Sequence, residues 1–166
     1  AAASKNGEGI VRVKSRGYNI DTVEITDLEV NSEDAGHSRS LVRGILARFK
    51  ELGYNIGGFD ATTASKVLSG SGLSSSAAFE VLVCTILNHL YNNGKISPVE
   101  IAKISQYAEN VHFKKPCGLL DQTACAVGGF VTIDFADPAN PVIEKVPLDF
   151  EKTGHSLCIV DTKGSH

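Results

Sequence analysis

The sequence contains no methionine and no tryptophan among its 166 residues, and aromatic residues make up only 7% of it. It lacks an apolar run of membrane-spanning length and opens on no signal peptide, so a membrane partner is not expected. It lacks a basic excess as well. Lys and Arg number 16 against 19 Asp and Glu, a net charge of −3, with a pI near 5.9. No basic face is therefore available to neutralise nucleic-acid phosphates. The Walker sequence G-x-x-x-x-G-K-[ST] is missing, which removes a lysine-assisted phosphate loop. The four cysteines, Cys84, Cys117, Cys125 and Cys158, form no C-x-x-C pair. Cys84 and Cys125 sit within apolar runs, as buried structural thiols do, and a reduced, cytoplasmic setting is the expectation. The chain begins Ala1-Ala2-Ala3-Ser4 and stops at His166, just after an apolar run. We expect a piece of a longer protein.

What is present fits one domain with a proper core. Ile10 to Lys14 and Thr22 to Ile25 alternate apolar and polar residues, predicting two strands around Gly17. Asn31 to His37 is a polar loop. Ser38 opens a helix with Leu41, Val42, Ile45, Leu46, Phe49 and Leu52 on one face and Gly53 as its stop. Phe59 to Val67 alternates again. A long helix from about Ser74 ends at Asn93-Gly94. Ser97-Pro98-Val99-Glu100 forms a capping box with proline at the first helical position, starting a helix bounded by Pro116. A short helix over Leu119 to Val127 precedes strands at Phe130 to Phe135, Val142 to Val146 and Leu157 to Asp161. Strands and helices in this irregular order predict an α+β fold, not a doubly wound parallel sheet.

The most informative stretch is Gly70-Ser71-Gly72-Leu73-Ser74-Ser75-Ser76, which feeds the long helix. A glycine-rich turn at a helix start leaves backbone N–H groups unpaired beside the positive end of the helix dipole, a setting that suits phosphate. The same residues also serve as a plain N-cap. Two carboxylates stand in small or apolar surroundings: Glu109 near a helix end, and Asp121 behind Gly118. Taken singly, they read as a solvated helix-end acid and a first-turn dipole partner. Taken with the turn, they supply the parts of phosphoryl transfer: a phosphate cradle, oxygens for Mg²⁺, and a group to orient or deprotonate the attacking hydroxyl. His37, His89, His112 and His155 show no metal spacing, and Lys114-Lys115 reads as a solvated loop pair.

These residues carry a resemblance. Leu68-Ser69-Gly70-Ser71-Gly72-Leu73-Ser74-Ser75-Ser76-Ala77-Ala78 resembles the second signature of the GHMP kinases. The triple serine resembles the galactokinase branch most closely, as does Ala108-Glu109-Asn110 followed by Cys117-Gly118-Leu119-Leu120-Asp121-Gln122. Gly57-Gly58-Phe59-Asp60 and Val160-Asp161-Thr162 fit the same family. The resemblance implies the fold of a GHMP kinase N-terminal domain, of the ribosomal protein S5 domain 2-like type, with a mixed β-sheet and helices on one face. It implies ATP-dependent phosphorylation of galactose at the carbon-one hydroxyl. Gly70, Ser71, Gly72, Leu73, Ser74, Ser75 and Ser76 would wrap the ATP phosphates, Ser76 and Glu109 would hold Mg²⁺, and Asp121 would be the catalytic base.

The departures are specific. Leu68 stands where the family usually has proline. The family's first signature, Gly-Arg-x-x-Leu-x-Gly-Glu-His-x-Asp-Tyr or a variant, does not occur in the chain, nor does the glycine-rich signature of the C-terminal domain. Residues 1–166 would then be the central and C-terminal part of the N-terminal domain, with that C-terminal domain as its missing partner. Three other readings remain: a galactose- and ATP-binding sensor without turnover, a related sugar-1-kinase, and an RNA-binding domain of ribosomal type, against which the acidic balance counts.

Overall fold

The computed structural model describes residues 1–67 and 72–160; residues 68–71 and 161–166 lie outside the described set. Strands β2 (Ile10–Ser15) and β3 (Ile20–Glu24) pair antiparallel, with Ile10 opposite Glu24 and Lys14 opposite Ile20. The chain then crosses the sheet through helix α1 (Ser38–Glu51) and returns as β4 (Phe59–Thr63), parallel to β2 with Val11 opposite Phe59. A parallel neighbour needs such a crossover, because no tight turn can reverse the chain twice. Strand β1 (Ala2–Lys5) adds antiparallel to the free side of β4. The result is a four-stranded mixed sheet in the order β1-β4-β2-β3.

Alternation decides which face is covered. Val11, Val13, Val23, Phe59 and Ala61 are buried together against Val42, Ile45, Leu46 and Phe49 of α1. Arg12 points the other way, where its guanidinium pairs with Glu8 and, at 3.1 Å, with Asp60. Helices α2 (Ser75–Tyr91) and α3 (Pro98–Tyr107) join the same core through Val81, Val83, Cys84, Leu87, Ile101 and Ile104. The α+β fold with helices over one face of a mixed sheet is the one expected. Helix α4 (Leu120–Val127) follows, and β5 (Phe130–Asp134) and β6 (Val142–Val146) form a separate antiparallel pair.

The capping box forms as read: Ser97 accepts from the Glu100 N–H at 3.2 Å, with Pro98 opening the helix. Elsewhere the structure corrects the sequence reading. The strand expected over Phe59–Val67 ends at Thr63, and Val67 N–H turns back to the Ser65 hydroxyl at 3.0 Å. Residues 157–160 form no strand, and Asp161 lies outside the described residues. Cys125 is exposed on α4, while Cys84 is buried beside the Ser105 hydroxyl. The polar loop before α1 hides a short 3-10 turn (Ser32–Asp34), where Asp34 is buried and paired with Arg39 and, at 3.0 Å, with Arg43. No described helix is long and apolar enough to cross a membrane.

Candidate active site

Three pieces of chain converge beside the start of α2. The first is the end of the glycine turn. Gly72 has φ +70° and sits in neither helix nor strand. Ser74 takes the left-handed conformation, φ 57° and ψ 41°, and its hydroxyl makes no cap bond. A left-handed non-glycine residue costs about 1 kcal/mol, and here it swings the chain into the helix while leaving the first-turn N–H groups uncapped by a side chain. Ser74, Ser75 and Ser76 are half-buried, whereas Gly72 and Leu73 are exposed. Gly70 and Ser71, named with them as phosphate-binding residues, lie outside the described residues.

The second piece is a π-helical turn, Ala108–His112, into which α3 widens after Tyr107. The sequence predicted one continuous helix here. A π turn inserts one residue into a helix and re-aims the side chains around it. It carries Glu109, whose side chain is almost wholly buried. The Ser76 hydroxyl donates to Glu109 Oε1 at 3.3 Å, so the structure brings these two expected metal-binding residues together. Lys115 Nζ lies 3.6 Å from the same oxygen, and its backbone N–H donates to the Glu109 carbonyl at 3.1 Å. Lys114, at φ +65°, makes the bend that allows this. Lys115 is thus not the free loop charge that the sequence suggested.

The third piece is the first turn of α4. Asp121 is exposed there, and its carboxylate makes no hydrogen bond or ion pair among the described residues. Gln122, its neighbour, is buried and turns inward. Its amide donates to Glu109 Oε2 at 2.8 Å and to Glu80 Oε2 at 3.2 Å, with Cys117 Sγ at 3.5 Å. Asn110 fixes the intervening loop by accepting from the Cys117 N–H at 2.7 Å.

Two carboxylates in one buried pocket cannot both ionise freely. Burial, and then the neighbouring Glu109, push Glu80 up to about 8. Burial and Glu109 likewise push the Cys117 thiol up to about 12, so Cys117 stays protonated and is no nucleophile. Glu80 and Gln122 were not singled out from the sequence. The available signal was spacing: Glu80 follows Ser76 by one helical turn and is the sole charged residue between Ala77 and Val83.

Chemically, the pocket offers a hydroxyl and a carboxylate oxygen side by side. These are hard donors of the kind Mg²⁺ takes while keeping its remaining positions for water and phosphate oxygens. Among the described residues no three His, Cys, Asp or Glu side chains gather into a closed metal cage. Ser76 and Glu109 could thus supply at most part of such an ion's coordination.

Comparison with known proteins gives the family of the chain. A galactokinase of Streptomyces coelicolor is 36% identical over 171 aligned positions, covering all of this chain and 43% of that protein. A galactokinase of Pyrococcus furiosus is 39% identical over 107 positions, 64% of this chain and 30% of that protein. The chain thus spans less than half the length of these curated relatives. Among solved structures, Lactococcus lactis galactokinase complexed with galactose superposes with a TM-score of 0.77 at 25% identity, over 97% of this chain and 44% of that one. Methanococcus jannaschii mevalonate kinase shares the fold at a TM-score of 0.67 and 16% identity, over 90% and 46%. The GHMP kinases N terminal domain family matches residues 40–129, more than half of the sequence. That match runs from α1 through the turn before α2 and the π-helical turn to the end of α4, and the chain belongs to the GHMP kinase family.

Proposed function

We propose that this chain is the central and C-terminal part of the N-terminal domain of a sugar kinase, which transfers a phosphoryl group from ATP to the carbon-one hydroxyl of galactose. The products are galactose 1-phosphate and ADP. The approach of Ser76 to Glu109 at 3.3 Å, directly after a glycine turn, carries the reading. The kinship to galactokinases supports galactose as the acceptor. In this reading Gly70 to Ser76 surround the phosphates with backbone N–H and hydroxyl groups at the positive end of α2. Ser76 and Glu109 would hold Mg²⁺, which when bound neutralises charge on the phosphate oxygens. Asp121 accepts the hydroxyl proton as the carbon-one oxygen attacks the terminal phosphorus, and its exposure leaves it open to a sugar. The first signature and the C-terminal domain, which this sequence does not contain, complete the sugar site. The chain alone is therefore inert, because positioning accounts for much of the rate in such transfers.

The test is ADP release with galactose and Mg-ATP by the full-length protein, its Asp121→Asn variant and the isolated chain. Galactose-dependent turnover abolished in Asp121→Asn supports the assignment. Binding of galactose and ATP without turnover in the full-length protein identifies a sensor instead. Full activity in the Asn variant removes Asp121 from the mechanism, and turnover by the isolated chain overturns its reading as incomplete.

A further inference from the structure

We propose that Gln122 is the positioning residue of the Glu109 carboxylate, with buried Glu80 as its anchor; this rests on the reading of Glu109 as a metal ligand. A glutamate's terminal torsion is soft, so a carboxylate aimed by one contact alone swings broadly. Glu109 Oε1 faces the half-buried Ser76 hydroxyl at 3.3 Å and the exposed Lys115. Only Oε2 is tied inward, by the Gln122 amide at 2.8 Å, shorter than that amide's contacts with Glu80 and Cys117. The Glu109 contact sets the orientation of that amide: its NH₂ group faces Glu109 Oε2 at 2.8 Å, where a flipped carbonyl would set two acceptors against each other. The carbonyl Oε1 of Gln122 and Oε1 of Glu80 find no partner among the described residues although both are buried.

The placement has a second effect. Gln122 directly follows Asp121 on α4, so the bond to Glu109 also pins the backbone carrying the proposed base to the turn carrying the proposed metal ligand. Supports of this kind around a metal ligand change affinity by about ten-fold or more when removed.

The experiment measures Mn²⁺ binding to the full-length protein with ADP by electron paramagnetic resonance, alongside the melting temperature of each variant. Gln122→Met removes the amide. Gln122→Asn keeps a buried amide but withdraws it from Glu109, and so covers the case in which Gln122→Met does not fold. Thr123→Val alters the adjacent, fully buried hydroxyl that also lacks a partner and reports general disturbance of α4. Glu109→Ala tests the underlying assignment. The expected result is Mn²⁺ binding weakened about ten-fold in both Gln122 variants, unchanged in Thr123→Val and lost in Glu109→Ala. Near wild-type binding in both folded Gln122 variants, with loss in Glu109→Ala, overturns the role of Gln122 and leaves the metal assignment standing. Equal weakening in Thr123→Val shows a packing effect and also overturns it. Unchanged binding in Glu109→Ala removes the metal assignment itself, and the positioning role with it.

Discussion

Gly44→Ala sets two well-understood effects against each other at one atom. Gly44 lies inside α1 with ordinary helical geometry, so alanine alone would stabilise the helix by about 1 kcal/mol. The new methyl, however, would sit 2.9 Å from Ala108 Cα, Ala108 Cβ and His112 Cγ. Carbon atoms settle at about 3.5–4.0 Å, so the π-helical turn must withdraw by roughly 0.6 Å or more. Two of the three obstructing atoms belong to Ala108 itself, where no flexible side chain can move aside. Overpacking of this sort costs about 1–3 kcal/mol; with two unyielding Ala108 atoms in the way we take about 2 kcal/mol, which outweighs the propensity gain and leaves a net loss of about 1 kcal/mol. The displaced turn also carries Glu109, whose contact with Ser76 is already long at 3.3 Å. The full-length Gly44→Ala protein should therefore unfold at lower urea concentration and need more Mg²⁺ for half-maximal activity. If the variant instead gains the whole kilocalorie with an unchanged Mg²⁺ requirement, the turn is not held against α1 and the reasoning fails.

Other outcomes follow from the same geometry. Glu80 titrates near 4.5 when free and near 8 in its pocket, so between these values the folded state holds the extra proton. Its stabilising effect is complete below about 4.5 and is lost as pH rises towards 8, at no more than about 1.4 kcal/mol per unit; Glu80→Gln should flatten that slope in urea titrations at pH 5, 6, 7 and 8. Ser97→Ala removes the acceptor for the Glu100 N–H and should cost about 1 kcal/mol by chemical denaturation. Asp34→Ala leaves the buried Arg43 guanidinium without its inner partner and should lower stability by about 3 kcal/mol in the same assay.

Local rules written into the sequence were readable where local forces decide the structure. The apolar stripe of α1, the Ser97 box and the alternation of β2 all depend on residues within one or two turns of each other. The unreadable parts depend on distant partners. Strand β1 is four small or polar residues, all exposed, and exists because β4 offers it a free edge. Ser65 and Val67 continue the alternation of β4, yet by Val67 the N–H is satisfied by a serine hydroxyl in place of a strand. Glu80 reads as one acid on a long helix until α4 brings Gln122 beside it. The widening of α3 around Glu109 leaves no mark in the spacing of apolar residues, because Ala108 and His112 remain buried on either side of it. Ser76 and Glu109 were legible as a pair only through the resemblance to the GHMP kinases; the side-by-side packing of two successive helices is what lets them meet.

The order of strands in the sheet differs from their order in the chain, and this constrains the route of folding. β2 and β3 are joined by a short turn and can zip together early. β4 can pair with β2 only once the whole segment that holds α1 has passed over the sheet, since that pairing is parallel. β1 must wait longest, for although it leads this sequence, Ala2 pairs with Thr62 and Lys5 with Phe59. Contacts between such distant segments slow the search for the native state. During synthesis the Ala2–Lys5 segment would leave the ribosome well before its partner exists, and its unpaired backbone would stay open to chaperones or to neighbouring chains until β4 arrives.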